Sequence, residues 1–378
     1  MKTYLNNAGA SIVSDATFNA VVSHMQLERG VGAYVAAQKR KNELAAFYSS
    51  VATLINATEP SEIAFVDSAS RGWNLAIYGL RLSSNDTVIT LSTEYGTNLL
   101  TLVDYTKKIG AKLEIIQCNR DGSFQLSDLE SKLMKGASVI AISHSVAQGS
   151  IINPVYEIGQ LAKKYNAVYI VDGCQSVGQM PIDVQAMQCD AFMVSGRKWL
   201  RAPRGTGFLY VRTGAPINAT QIDLASADLT FGDNGEITGV RIVNGSKHFE
   251  LWERNIASVL GFAVAIDELL AGNQNDIYNS IYKKASSLRQ AVLDNHKLHL
   301  VGSSVAKTGI VGFYAVDRNC EEHIKRVFSD NDIVISTISD WDCPLVFPKD
   351  ASCIFRLSPH YYTEDKDISY VAKLIATL

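Results

Sequence analysis

An acid and a lysine each follow an apolar run of the chain, close to the point where the run ends. Asp172 comes directly after residues 168–171, and Lys198 comes four residues after the run 191–194. They are 26 residues apart, which is enough for a crossover between two parallel strands, so both side chains are expected at one edge of a sheet. Such a pair is often only a solvated ion pair. A lysine can also form a Schiff base with the aldehyde of pyridoxal phosphate (PLP).

PLP held by Lys198 makes three further demands on the chain. It needs a carboxylate that keeps the pyridine nitrogen protonated, because that positive charge makes the ring an electron sink. It needs hydroxyl and backbone N–H groups for its phosphate, preferably at a helix N-terminus, and a flat side chain to stack on the ring. Asp172 meets the first demand and Tyr95 the third. Ser70 and Ser195 meet the second, so the residue types favour a PLP site.

The segments that position these residues alternate between two sequence patterns. Short apolar runs rich in β-branched residues are separated by longer segments with helical periodicity, such as 155–165. This alternation predicts βαβ units and a mainly parallel sheet that is buried on both faces. The runs predicted to be strands are residues 87–91, 113–116, 139–142, 168–171 and 191–194.

The pattern changes after about residue 213. Residues 231–246 are polar and show no clear period, and an apolar helical pattern then runs from about Phe249 to Leu270. A further helix, short strands at 311–314 and 333–335, and a last helix from about Glu364 indicate a smaller α+β domain. Because 378 residues exceed one core of the commonest size, we expect three parts. They are an N-terminal segment near the active site (1–15), a large PLP-binding domain (16–254) and a small C-terminal domain (255–378).

Composition and charge exclude several classes of partner. The chain is 47% apolar and 19% charged, which is typical of a globular protein. Its formal net charge of -3 gives no electrostatic case for nucleic acid or an anionic membrane. We expect no signal peptide and no membrane span. The six dispersed cysteines favour free thiols in a reducing cytoplasm, and Cys343, Cys353 and His360 lack the spacing of a zinc site, so no metal is expected.

Longer motifs resemble the class V aminotransferase family of fold-type I PLP enzymes, which includes the cysteine desulfurases. The resemblance runs from YLNNAGA at residues 4–10 to RLSPHYYTE at 356–364. Its most specific parts are DGCQS at 172–176, SGRKWL at 195–200 and PRGTG at 203–207. It implies a large domain with a mainly parallel sheet between helices, plus a smaller α+β domain. No GxGxxG, P-loop or HExxH motif competes with it.

The resemblance also implies roles for individual residues. Lys198 is the Schiff-base lysine and Asp172 the partner of the pyridine nitrogen. Tyr95 replaces a histidine that stacks on the ring in relatives, and a phenol stacks but shuttles protons poorly near neutral pH. Gln175 is implied to hydrogen-bond the phenolic oxygen of the cofactor. Arg356 is implied to bind the substrate carboxylate, because a planar guanidinium suits a bidentate grip.

The remaining implied contacts lie in loops. Arg197 can pair with phosphate or be a surface arginine. Asn7 and Gln148 either line the substrate side or cap loops. The residues implied to hold the phosphate are Ala69, Ser70, Ser195 and Arg197.

The motifs leave the reaction open. The pattern looks closest to a branch with C–S lyases of the hercynylcysteine-sulfoxide type and isopenicillin-N-epimerase-like proteins, so we predict a PLP-dependent β-lyase acting on a cysteine-derived amino acid. An amino-acid aminotransferase is the alternative, followed by a cysteine desulfurase or epimerase, and then by a non-catalytic PLP-binding module. Desulfuration needs a reactive thiol, and two aspartates beside Cys343 disfavour one there. The family implies a homodimer with its sites at the interface.

Overall fold

The computed structural model describes residues 2–349 and 351–378, which form fifteen strands and twelve α-helices. The strands are β1 Thr3–Tyr4, β2 Ile63–Val66, β3 Thr87–Leu91, β4 Lys112–Ile116, β5 Val139–Ser143, β6 Val168–Asp172, β7 Ala191–Ser195, β8 Gly207–Val211, β9 Ala227–Phe231, β10 Ile237–Ile242, β11 Leu298–Val301, β12 Val311–Ala315, β13 Ile333–Val334, β14 Ser336–Ile338 and β15 Ile354–Leu357. The helices are α1 Asp15–Val31, α2 Ala33–Lys39, α3 Lys41–Ile55, α4 Ala69–Tyr78, α5 Gly96–Ile109, α6 Leu126–Met134, α7 Val155–Lys164, α8 Val184–Met187, α9 Ile256–Ala271, α10 Gln274–Asp294, α11 Glu321–Asp330 and α12 Asp365–Ile375.

Seven strands form one large sheet, in the order β2-β8-β7-β6-β5-β3-β4. All of them run parallel except β8, which lies between β2 and β7 and is antiparallel to both. The predicted strands at 87–91, 113–116, 139–142, 168–171 and 191–194 are confirmed as β3 to β7. Because five of these strands end at one edge, the residues that follow them meet there.

Helices cover both faces of the large sheet. Alternate residues of β5 belong to two separate apolar clusters: Ile140 and Ile142 to one, Val139 and Ala141 to the other. The first cluster takes in α3, α7 and α9, and the second takes in α4 and α5. Since successive side chains of a strand point to opposite faces, burial on both faces explains why the sequence shows near-continuous apolar runs.

A second sheet lies in the C-terminal part of the chain, with strand order β11-β12-β15-β14 and antiparallel pairing throughout. Its core contains Phe313 and Phe355 and the apolar sides of α10, α11 and α12. The N-terminal strand β1 pairs in parallel with β13, which brings Leu5 into the same core. The expected architecture of a helix-covered parallel sheet plus a smaller α+β unit is therefore confirmed.

The predicted helix at 249–270 begins later than expected, at Ile256. Phe249 ends a short 3-10 turn, and the buried carboxylate of Glu250 accepts hydrogen bonds from the Phe65 N–H and the Tyr48 hydroxyl. Glu250 also forms an ion pair with Arg254. These tertiary contacts hold residues 250–255 outside the helix, although their apolar spacing fits a helical period.

Two further features differ from or extend the predicted organisation. Residues 231–246, predicted to be irregular, contribute to an exposed antiparallel hairpin of β9 and β10. Apolar residues of α9 pack in the core of the large sheet, whereas the second half of α10 packs in the C-terminal core. This packing favours a boundary later than residue 255, and the division into 1–15, 16–254 and 255–378 stays a prediction.

Among the described residues, no single helix combines the length and the apolarity needed to cross a membrane.

Candidate active site

A cavity opens at the edge where β5, β6 and β7 end. It brings together eight of the residues that the sequence singled out: Ala69, Ser70, Tyr95, Asp172, Gln175, Ser195, Arg197 and Lys198. Four other residues complete the lining: Ser143, Ser145, Ala147 and Cys174. Segments from five different parts of the chain therefore converge on one small space.

A larger cavity, of about 480 Å³, lies at the opposite edge of the sheet. Two of its charged residues, Asp190 and Arg212, form an ion pair with each other, and a third, Lys163, is exposed. Among the described residues, no ion pair involves Lys198 or Arg197, which line the smaller cavity. The smaller cavity combines a lysine, an arginine, a buried carboxylate and several hydroxyls at the carboxyl ends of the strands, where open parallel sheets bind ligands. We therefore place the candidate site there.

Lys198 lies in the loop that joins β7 to its antiparallel neighbour β8. Two backbone hydrogen bonds close this loop: Gly196 N–H donates to the Thr206 carbonyl at 2.8 Å, and Ala202 N–H donates to the Gly196 carbonyl at 3.0 Å. No crossover helix is needed, because β8 runs back beside β7. The lysine is therefore held on a short, internally bonded connection at the edge of the sheet.

Asp172 forms the floor of the cavity as the last residue of β6. Its Oδ1 accepts the Cys174 N–H at 2.8 Å, and its Oδ2 accepts an N–H of the Asn98 side chain at 2.7 Å. Burial raises the pKa of Asp172, while the hydrogen bond from Asn98 and the positive charge of Lys198 act in the opposite direction. The site thus supports an ionised carboxylate only with help from donors and a cation.

Asn98 and Glu94 belong to the site although the sequence did not predict them. The same Asn98 nitrogen that reaches Asp172 also donates to Glu94 at 2.9 Å, and Ser143 donates to Glu94 through both its N–H and its hydroxyl. All three residues are buried. The signal available in the sequence was the spacing of Glu94 and Asn98, four residues apart at a helix start, which puts two polar side chains on one face.

The N-terminus of α4 points at the cavity. Ser68 caps this ten-residue helix by accepting the Arg71 N–H at 3.2 Å, and the Ser195 hydroxyl accepts the Ala69 N–H at 2.9 Å. Ser70, the second residue of the helix, lines the cavity. The helix dipole favours an anion at such a position, and the hydroxyls of Ser70 and Ser195 lie beside it.

The Gln175 carboxamide has a defined orientation. The Trp199 indole N–H donates to Gln175 Oε1 at 2.9 Å, and Gln175 Nε2 donates to the Ala8 carbonyl at 3.0 Å. An amide nitrogen carries two hydrogens, so one donor remains for the cavity. Trp199, the residue after Lys198, thereby presents the N–H side of Gln175 to the site.

We expect Trp199→Phe to weaken both the fold and this orientation. The substitution leaves the buried Gln175 oxygen without its donor, which costs about 1–3 kcal/mol. Denaturant unfolding measures the loss, and the matched control is Trp252→Phe, since Trp252 is 59% exposed. Equal unfolding free energies for the two variants would contradict the assignment of this hydrogen bond.

Arg356 lies beside the cavity with an incompletely bonded guanidinium. Its Nη1 donates to the carbonyl of Ala147, a lining residue, at 3.0 Å, and its buried Nε has no hydrogen-bond partner among the described residues. Burial lowers the pKa of Arg356 to about 10, and the charges of Asp342 and Tyr95 act on it in the opposite direction. A buried cation that lacks an anion is a natural receptor for a carboxylate.

Asn7 and Gln148, predicted to contact substrate, do not line the cavity. Asn7 donates to the Ser358 carbonyl at 2.7 Å and accepts from the Tyr362 hydroxyl. Gln148 donates to the Thr93 carbonyl at 3.3 Å. These are the contacts of loop-capping residues, which was the alternative interpretation for both.

The loop that contains Cys343 docks next to Tyr95. The N–H of Gly96, the first residue of α5, donates to the Asp342 carbonyl at 2.9 Å, and a Cβ at Gly96 would lie 2.3 Å from the Trp341 carbonyl oxygen. Cys343 itself is buried, and its thiol faces the Ser339 carbonyl at 3.7 Å. Burial, with the charges of Asp342 and Asp340, raises the pKa of the Cys343 thiol to about 12.

Comparison with known proteins agrees with this arrangement. The profile described as aminotransferase class-V matches residues 3–371. The chain belongs to this family. Among class V relatives, a probable cysteine desulfurase of Pyrococcus abyssi is 34% identical over 221 residues, which cover 57% of this chain and 53% of that protein. The match thus spans about half the length of that relative. Another, from Synechocystis sp., is 26% identical over 396 residues, covering 99% of this chain and 90% of that protein.

Solved structures share the fold of this class V chain. The apo cysteine desulfurase of Thermococcus onnurineus NA1 superposes with a TM-score of 0.88 at 23% identity, covering 100% of this chain and 94% of that one. The cystine C–S lyase C-DES, in complex with its reaction product cysteine persulfide, superposes with a TM-score of 0.87 at 21% identity, covering 99% and 97% of the two chains. Both comparisons confirm the predicted fold class.

Proposed function

We propose that this class V chain is a PLP-dependent lyase that breaks the C–S bond of a cysteine-derived amino acid. The observation that carries the proposal is the set of groups that converge on one cavity: Lys198, the floor carboxylate Asp172, the α4 N-terminus and, beside them, Arg356. The thiol in the adjoining loop, Cys343, is buried. The C–S lyase C-DES, which shares the fold, supports this reaction type.

The chemistry of the lining residues fits PLP. Asp172 is a buried carboxylate that is stabilised by a cationic partner, which a protonated pyridine nitrogen would provide. The α4 N-terminus with Ser70, Ser195 and Arg197 suits a phosphate, and Lys198 supplies an amine for the aldehyde. When bound, PLP supplies an electron sink for negative charge at the substrate Cα.

Residues of the chain bind the substrate and move its proton. Arg356 binds and orients the substrate carboxylate. With PLP bound, the Lys198 amine would take the proton from the substrate Cα, and the C–S bond at Cβ would break with the sulfur leaving as a thiolate that takes up a proton. For an S-substituted cysteine the overall balance is substrate plus water giving a thiol, pyruvate and ammonia.

The test is a panel of S-substituted cysteines and their sulfoxides, with released pyruvate and ammonia measured together. Continuous formation of both products supports the lyase. One equivalent of oxo acid per site, with the cofactor converted to its amine form and no ammonia released, would instead assign the chain to the aminotransferases. If added PLP gives no visible absorption on the wild type and none is retained after dialysis, the cofactor assignment is wrong.

Cysteine desulfuration is the second candidate, because curated relatives of this chain carry that name. We expect Cys343→Ala to keep the turnover of the wild type, since a buried thiol with a pKa of about 12 is a poor nucleophile. The substitution leaves a small cavity, which is expected to lower the free energy of unfolding by about 1 kcal/mol.

Alkylation kinetics provide the matching control for the Cys343 prediction. Cys118 and Cys320 are partly exposed and are expected to react first with iodoacetamide, whereas Cys343 reacts only on unfolding. The desulfurase would be established instead if the wild type formed alanine and sulfide from cysteine and a correctly folded Cys343→Ala variant did not.

We also propose a homodimer with the sites near its interface. Leu100 and Val103 are 66% and 44% exposed and lie on α5, the helix that carries the Asn98 that contacts Asp172. The β9–β10 hairpin adds the exposed side chains of Phe231 and Ile237. Exposed apolar groups in this number favour a protein interface. Light scattering that gives a monomer while activity persists would contradict the homodimer.

We also propose a cytoplasmic location. The free cysteines of the described residues support it.

A further inference from the structure

Glu94 is a buried carboxylate at the junction of β3 and α5. It is 2% exposed and accepts four hydrogen bonds. Its Oε1 accepts the N–H of Tyr95 at 2.9 Å, an N–H of Asn98 at 2.9 Å and the Ser143 hydroxyl, and its Oε2 accepts the Ser143 N–H at 2.7 Å. Among the described residues it has no cationic partner. A buried acid surrounded only by neutral donors needs an explanation.

The Asn98 carboxamide joins this acid to Asp172. One nitrogen, Nδ2, donates to Glu94 Oε1 at 2.9 Å and to Asp172 Oδ2 at 2.7 Å. An amide nitrogen has two hydrogens, so both are committed. If the carboxamide turned over, its oxygen would face two carboxylates. The pair of acceptors therefore holds Asn98 in the orientation that donates to the floor of the cavity.

We propose that Glu94 is a positioning residue for Asp172: it fixes the Asn98 side chain so that an N–H, and not a carbonyl oxygen, faces the carboxylate that would meet the pyridine nitrogen of PLP. The inference rests on the proposed PLP site. It assigns to Glu94 an effect on the charge of Asp172 that is transmitted through Asn98 without contact with substrate or cofactor.

A carboxylate is required for this role because both of its oxygens accept. A glutamine at position 94 must turn an NH₂ group toward the backbone N–H of either Tyr95 or Ser143, and neither donor can move away from the end of its element. With the NH₂ group at the Oε1 position, Asn98 loses its acceptor. With the NH₂ group at the Oε2 position, the Ser143 N–H repels the amide and shifts the oxygen to which Asn98 donates. In either orientation Asn98 is held less firmly and can turn its carbonyl oxygen toward Asp172. Two facing acceptors favour the protonated form of Asp172.

The free-energy cost of burying the Glu94 charge bears on how the Glu94→Gln variant folds. Burial raises the pKa of Glu94 to about 7, and the charge of Asp172 adds to the effect. A neutral isostere would relieve that cost, so Glu94→Gln is expected to fold. This separates an effect on the site from an effect on the fold.

The experiment compares Glu94→Gln with Glu62→Gln. Glu62 is also a buried carboxylate, 3% exposed, and accepts the N–H groups of Thr58, Glu59 and Thr213 far from the cavity. We expect Glu94→Gln to weaken PLP binding by about 10- to 100-fold, the scale of a lost buried hydrogen bond or of a removed supporting partner. Glu62→Gln is expected to change stability and leave PLP binding unchanged.

The colour of lysine-bound PLP gives a readout that is independent of turnover. Loss of the pyridine proton removes positive charge from the conjugated ring, so the pH at which the bound cofactor changes colour should rise in Glu94→Gln. In an Asn98→Ala background the same substitution should cause no further change, because the connection to Asp172 is already cut. Additive shifts in the double variant would overturn the proposal.

The outcomes separate this inference from the proposed function. A wild type that binds no PLP refutes the cofactor site itself. A wild type that binds PLP while Glu94→Gln has the same affinity and the same colour change overturns only the role of Glu94. Equal losses in Glu94→Gln and Glu62→Gln would also overturn it, since both would then reflect the fold alone.

Discussion

Lys198→Ala is expected to abolish covalent attachment of PLP and to lower turnover by a factor on the order of 10⁴ to 10⁶, the range seen when an enzyme loses its nucleophile or base. The loop that carries Lys198 keeps its closing bonds from Gly196 and Ala202, which are made by the backbone. The variant should therefore fold. Borohydride reduction followed by peptide mass spectrometry measures the attachment, and pyruvate release measures the turnover.

The control for this variant is Lys163→Ala, because Lys163 is an exposed lysine on α7 at the opposite edge of the sheet. It should retain both the covalent label and the turnover. A label that stays on the protein in Lys198→Ala, or that maps to another lysine in the wild type, would remove Lys198 from its proposed role.

Asp172→Asn is expected to leave PLP attached to Lys198 and to lower turnover by about 10²- to 10⁴-fold, the scale of a lost proton-holding group. A neutral amide cannot keep the pyridine nitrogen protonated. It also turns an NH₂ group toward the N–H of either Cys174 or Asn98, which now donate to Asp172. Single-turnover kinetics with an S-substituted cysteine measure the loss directly.

Asp190→Asn is the matched control for the floor carboxylate. Asp190 is also buried, accepts the Tyr169 N–H at 2.8 Å and pairs with Arg212, but it lies at the start of β7 and not at its end. Its substitution should reduce stability without changing the colour or the turnover of the PLP-bound protein. Similar losses of turnover in both variants would mean that the effect of Asp172 is structural.

The sheet could be predicted because its strands are buried on both faces. Residues 139–142 and 168–171 are continuous apolar runs, and they form β5 and β6 almost to the residue. The exposed hairpin of β9 and β10 gives no such run, since water covers much of both its faces. The start of α9 was misplaced because Glu250 bonds to Phe65 and Tyr48, partners about 185 and 202 positions away in the sequence.

Site residues that closely follow a strand could be predicted from the sequence. Those that act through a hydrogen bond to a distant segment could not. Lys198, Asp172 and Ser195 lie at strand ends, and the sheet brings such ends together whatever the loops do. The hydrogen bonds of Asn98 to Asp172 and of Ser143 to Glu94 join residues 74 and 49 positions apart. Their existence depends on side-chain directions, which no periodicity in the sequence records.

The antiparallel strand β8 also sets an order of assembly. β2, which leads into α4, joins the large sheet only through β8, so β2 can pair only after residues 207–211 are in position. The contact between Ala69 and Ser195 closes a loop of 126 residues, and such distant closures come late in folding because their entropy is lost before any contact compensates it. During synthesis, β2 therefore has no partner strand in this sheet until β8 has left the ribosome. Cofactor capture is therefore expected late in the synthesis of each chain, since a truncated product ending before residue 195 would lack both Ser195 and Lys198.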